Sequence, residues 1–110
     1  MPRELTDQRC ILSNRNRNYV CISEPVTLNE EFHIHSVIKA LIDSKGCEVR
    51  GGVAFLRYLP CRICAAALVV AGIHKVVYKY EEKKTEEIVA VEQLLIEAGI
   101  EIVHNKELDI

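Results

Sequence analysis

Pro60, Cys61, Arg62, Ile63 and Cys64 form the stretch of this chain best suited to chemistry. Two Cys three positions apart can grip one zinc ion, but zinc takes more ligands than two. The stretch sits between an apolar run that ends at Leu59 and an Ala-rich run over 65–71. It reads as a strand that delivers two thiolates to the first turn of a helix. The free N–H groups and positive dipole end of a helix start favour thiolate over thiol. Pro60 suits that place, because the N–H it lacks would have no partner there. His35 is the best candidate for a third ligand; Cys61 follows it by 26 residues. His33 is its rival. The competing reading is a redox Cys pair with an unrelated His.

The elements that must position these groups follow from hydrophobic pattern. Residues 9–13 and 19–23 read as two strands, and 14–18 (Asn-Arg-Asn-Arg-Asn) as the turn of a hairpin. Two arginines on that turn fit either a solvated loop or a phosphate contact. A loop over 24–31 precedes a helix over 33–44. Ile34, Val37, Ile38, Leu41 and Ile42 fall on one side of that helix, and Gly46 stops it. A strand over 53–59, a helix over 61–71, a strand over 74–80, a helix over 86–98 and a strand over 100–103 complete the order. Ile88, Val91, Leu94 and Leu95 point inward from the last helix. Glu81 to Thr85 reads as a solvated connection. Strands joined through a helix run parallel with right-handed crossovers.

A chain of 110 residues with 49% apolar residues is expected to be one domain with a real core, over 1–110. A formal charge of −2 argues against a strongly basic nucleic-acid surface. No run approaches the length of a membrane span and no signal segment is visible, so the chain reads as soluble and cytoplasmic. Five Cys is an odd number, which argues against a complete disulfide framework, and Cys10, Cys21 and Cys47 read as core thiols.

His35-Ser36-Val37 followed by Pro60-Cys61-Arg62-Ile63-Cys64 resembles the cytidine and deoxycytidylate deaminase superfamily, whose zinc signature is H-x-E…P-C-x-x-C. Residues 65–78 are similar to that family's Cys helix, Gly-Ile turn and following strand. Residues 94–103 are similar to its deoxycytidylate and tRNA-adenosine branch. The resemblance spans roughly residues 9–104. It implies a three-layer α/β/α fold around a mixed five-stranded sheet, without the usual N-terminal helix. It also implies zinc on His35, Cys61 and Cys64, with a water at the fourth position activated for attack on a base. Taking His35 as ligand places Ala40-Leu41 on the family's Ala-Ile or Ala-Leu pair. Taking His33 would place Lys39 where the family buries an apolar side chain.

One departure decides the functional reading. Val37 stands where the family carries its catalytic glutamate, so no catalytic residue is assigned. Glu30, Glu31 and His33 are the candidates for a substitute; otherwise the two acids are charges of a helix first turn. Lys39 and Leu59 also replace polar residues of the family's site. Asn29, Ser36 and Leu59 are the pocket candidates. The non-catalytic subunit of the eukaryotic heterodimeric tRNA adenosine deaminase resembles this chain in keeping the zinc ligands and carrying Val at the same place.

The expected function is therefore a zinc-binding deaminase-fold protein without deaminase activity, acting as a structural or regulatory subunit. The alternatives are an active nucleotide or nucleic-acid base deaminase with another proton shuttle, and a nucleotide-binding module. The expected partners are further copies of the chain, or an active deaminase relative, with no membrane. The oligomer is expected because one sheet face lacks the family's first helix and the helix over 86–98 covers only part of that face.

Overall fold

The computed structural model describes residues 7–45 and 48–110. Strands β1 (Cys10–Ser13) and β2 (Tyr19–Ser23) form the expected hairpin, followed by a small hairpin of β3 (Val26–Thr27) and β4 (His33–Ile34). Helix α1 (Ser36–Asp43) then leads to β5 (Val53–Leu56), α2 (Arg62–Ala71), β6 (Lys75–Tyr78), α3 (Glu86–Glu97) and β7 (Glu101–His104). The main sheet has the order β2-β1-β5-β6-β7. β1 runs antiparallel to β2 and β5, while β5, β6 and β7 are parallel. This is the mixed α/β sheet that the sequence implied.

Strand alternation splits the sheet into two unlike faces. Cys10, Leu12, Ala54, Leu56, Val76 and Tyr78 are all buried, on the face that carries the helices. α1 packs on β1 and β2, α2 packs between α1 and α3, and α3 packs on β7. All three described helices therefore share one face, and a second helix layer is not among the described residues. The helix over 86–98 was expected to shield part of the opposite face, and it does not. The step from β6 to β7 moves across the sheet in the same direction as the step from β5 to β6. Right-handed crossovers then put α2 and α3 on the same side. On the opposite face Ile22 is 63% exposed, next to Ile11 in register.

Boundaries moved where tertiary partners intervened. The strand expected over 53–59 ends at Leu56. The buried Gln8 side chain accepts the N–H groups of Arg57 (3.0 Å) and Tyr58 (3.1 Å) and donates to the Tyr58 carbonyl (2.9 Å), replacing a ladder partner. The helix expected over 33–44 starts at Ser36, because His33 and Ile34 pair with β3. Glu30 and Glu31 thus lie in the β3–β4 turn, and the first turn of α1 holds no acid. Lys45 leaves α1 with a left-handed φ of 50°. Gly46 and Cys47 lie outside the described residues. Cys10 is in the core, where burial pushes its thiol pKa far up; Cys21 packs against that core and donates to the Ala40 carbonyl. Ile42 (60% exposed) and Leu94 (37%) turn out of the core. Ile42 sits about 140° around α1 from Val37 at roughly 100° per residue, off the buried stripe.

Two backbone details matter later. Asn14 closes the β1–β2 turn: its Oδ1 accepts from Asn16 N (2.9 Å) and Asn18 N (3.0 Å). Arg17 then takes φ 66°, a left-handed conformation that costs a residue with a Cβ about 1–2 kcal/mol. Gly52 lies hard against β1. A Cβ there would sit 1.9 Å from the Ser13 carbonyl oxygen and 2.8 Å from that of Val49, both backbone atoms that cannot yield. Gly52→Ala is expected to cost about 2 kcal/mol by forcing β1 away from β5, read from the midpoint of urea unfolding. An unchanged midpoint would overturn it.

Candidate metal centre

His35 and Cys61 occupy equivalent places. Each is the N-cap residue of its helix, extended in backbone, and neither caps with its side chain. α3 shows the ordinary arrangement, with Thr85 accepting the Ile88 N–H and Glu86 and Glu87 in the first turn. α1 and α2 carry neither a capping side chain nor first-turn acids. Their N-terminal positive ends are left to the imidazole and the thiols.

The three side chains converge. His35 Nδ1 lies 3.4 Å from Cys61 Sγ and 3.4 Å from Cys64 Sγ. All three ligand atoms lie within 4.8 Å of one another. Tetrahedral zinc, with bonds of about 2.3 Å to sulfur and about 2.05 Å to nitrogen, needs a sulfur–nitrogen separation near 3.6 Å. Donor set and spacing therefore fit a zinc ion, with Nδ1 as the nitrogen donor. The Cys61 thiol is pulled down to about 5, first by hydrogen bonding to the Cys64 side chain. Burial opposes this; the Cys64 backbone and His35 add to it. Cys64 is buried and Cys61 half-buried, so the group opens on the Cys61 side.

His33 does not join this group. Its Nδ1 lies 3.3 Å from Thr27 Oγ1 and its Nε2 3.2 Å from the Glu30 carbonyl, which ties the ring into the β3–β4 hairpin. Val37 is 1% exposed and packs in the core. Lys39 pairs with Asp43 at 2.5 Å, on a carboxylate that also accepts from Ser23.

The pocket candidates scatter. Asn29 is exposed, and its Oδ1 accepts from Glu31 N (2.8 Å) and Phe32 N (3.0 Å), holding the hairpin turn. Ser36 is fully buried beside His35, and its hydroxyl has no hydrogen-bond partner among the described residues. Leu59 lines a cavity of about 310 Å³ with Tyr78, Tyr80, Glu82 and Glu92. A neighbouring cavity, also about 310 Å³, joins Cys61 to Glu82, Glu87 and Ile88. Half-buried Glu82 borders both. Sequence reasoning missed it by treating Glu81 to Thr85 as a solvated connection. Its only local signal was a position just after the strand that follows the Cys helix.

The MafB19-like deaminase family model matches residues 4–107. The chain belongs to the MafB19-like deaminase family. No curated protein matches it. Among solved structures, it is similar to the dCMP deaminase of cyanophage S-TIM5 in complex with dCMP and dUMP. That match has 24% identity and TM-score 0.70, over 89% of this chain and 80% of that one. It is similar to Acinetobacter baumannii RibD at 23% identity and TM-score 0.73, over 89% of this chain and 28% of the longer RibD. It is also similar to a tRNA deaminase of A-to-I editing at the wobble position, at 17% identity and TM-score 0.69, over 89% and 82%. These likenesses establish the cytidine and deoxycytidylate deaminase fold. No helix of the described residues is long and apolar enough to cross a membrane.

Proposed function

We propose that this family member binds one zinc ion through His35, Cys61 and Cys64 and does not deaminate, serving as a structural or regulatory subunit. One observation carries the reading: a complete three-ligand group stands beside a valine that is 1% exposed where the superfamily has its acid. Zinc bound there supplies a Lewis acid that makes a water more acidic. The chain's own contribution to such chemistry would be a group that moves the proton, and Val37 has no atom that can. Metal analysis joined to an ammonia-release assay tests the reading. The substrates are cytidine, deoxycytidine, their monophosphates and a tRNA anticodon stem. Zinc without ammonia supports it; ammonia above background overturns it.

Glu82 favours a second reading, an active deaminase with a relocated shuttle, because its carboxylate borders the cavity that contains Cys61. In that case Glu82→Gln removes the ammonia signal while zinc stays bound. A nucleotide-binding module is the third reading, supported by the dCMP and dUMP held by the cyanophage relative.

Assembly belongs to the same proposal. Ile63 (70% exposed), Ala66 and Val70 (80%) fall at i, i+3 and i+7 along the outer side of α2, an apolar stripe beside the metal group. We expect a homodimer through this stripe, and a Val70→Lys variant that is monomeric. Light scattering decides it: a mass near 12.5 kDa, unchanged on concentrating, rules the dimer out.

A further inference from the structure

A cavity of about 520 Å³ lies away from the metal group, on the helix-free face of the sheet. Its floor is Val53, Phe55 and Val77, the outward alternates of β5 and β6. The β1–β2 turn forms one wall, with the Tyr19 ring beside it, 75% exposed. Arg15 and Arg17 reach it from that turn, and His74 and Lys75 from the start of β6. No acidic side chain lines it. The clefts beside Cys61 are the reverse, with Glu81, Glu82 and Glu92 against Lys84, and Glu82 and Glu87 against Lys83. A chain of formal charge −2 thus gathers cations around one cavity.

The two arginines are not spent on the fold. Neither Arg15 nor Arg17 has an ion pair or side-chain hydrogen bond among the described residues, while Lys75 forms a long ion pair with Glu101 at 3.8 Å. Two backbone features aim the arginines. Gly51 leaves room for the Arg15 stem, whose Cβ would stand 3.3 Å from a Cβ at 51. Arg17 holds a left-handed φ of 66°, where Gly would be unstrained. The Arg17 backbone is held by its N–H donating to the Asn14 carbonyl (2.9 Å), but its guanidinium bonds to nothing among the described residues. A strained residue with an unused charged side chain is a reason to look for a ligand.

We propose that this cavity binds a mononucleotide-sized phosphate ester with an aromatic ring. The guanidinium groups of Arg15 and Arg17 and the Lys75 ammonium take the phosphate, and the ring lies on Phe55 and Tyr19. The volume falls within the range of small-molecule sites, which combine an apolar floor with a few charged groups. The site is independent of the zinc reading, since it shares no residue with the metal group or its clefts.

The test is calorimetric titration of the full chain as purified with adenosine 5′-monophosphate, inorganic phosphate, adenosine and a single-stranded oligonucleotide. The monophosphate is expected to saturate one site, more tightly than phosphate or adenosine, and to weaken as salt rises. Arg15→Ser and Arg17→Gly should each weaken it about tenfold, as the loss of one charge-assisted contact does. Arg17→Gly should at the same time raise the melting temperature, because it relieves the left-handed φ; that separates lost binding from lost folding. Amide shifts on binding should appear at 53–55 and 74–77. The proposal is overturned by absence of saturation, by inorganic phosphate binding as tightly as the monophosphate, or by binding of the oligonucleotide alone. It also falls if both arginine variants stay within about twofold of the parent, or if the shifts map to 61–64.

Discussion

Removing the metal with a chelator is expected to lower the melting temperature by roughly 10–20 °C, and returning zinc should restore it. A ligand present at 100 times its dissociation constant adds about 2.7 kcal/mol of stability. For a domain of this size each kcal/mol moves the midpoint by about 4–8 °C. The effect is large because the ligands join parts of the chain that are far apart in sequence. His35 opens α1 and Cys61 opens α2, 26 residues later, and each spends its N-cap position on the group. The fold should survive the loss, since Leu12, Leu56, Leu68 and Leu95 form a fully buried core apart from the ligands. Cys64→Ser should reproduce the chelator's effect without chelator. Thermal melts beside elemental analysis check both. A metal-free chain joined by a Cys61–Cys64 disulfide, with a melt indifferent to chelator, would refute the zinc reading.

Ammonia release from cytosine nucleosides, nucleotides and a tRNA anticodon stem is expected to stay at background. A positioned acid–base group contributes about 100- to 10,000-fold, and in this chemistry it acts more than once. Val37→Glu is the informative variant. It places a carboxyl at a position only 1% exposed, beside the core residue Ala40. Burial disfavours the charged form, so the variant should lose stability at neutral pH and recover at most a trace of turnover. Robust turnover by the unmodified chain would contradict this and point to Glu82. In that event Glu82→Gln silences the reaction, while Glu30→Gln and Glu31→Gln, in the exposed β3–β4 turn, leave it unchanged.

Much of this protein was legible in the sequence because it depends on neighbours along the chain. Short apolar runs in 10–13 and 53–56 made strands, and Gly72 and Gly99 ended helices with left-handed turns. The Pro-Cys-x-x-Cys spacing put both thiols at a helix start. Parallel pairing of β5, β6 and β7 follows from the helices between them, since a right-handed crossover is what such a connection can make. Contacts between distant residues were hidden. His33 and His35 are alternatives in sequence; the β3–β4 pairing removes His33 by tying its ring to Thr27 and Glu30. Gln8 ends β5 from nearly fifty residues away, through hydrogen bonds no local pattern records. The side of the sheet taken by α3 depends on strand order, which spacing alone does not encode. For the same reason Glu82 reaches the cavity of Cys61, and Arg15 and Arg17 gather with Lys75 over Phe55. Each of these groups is assembled by the order of strands in the sheet, and that order is decided only when the whole core packs.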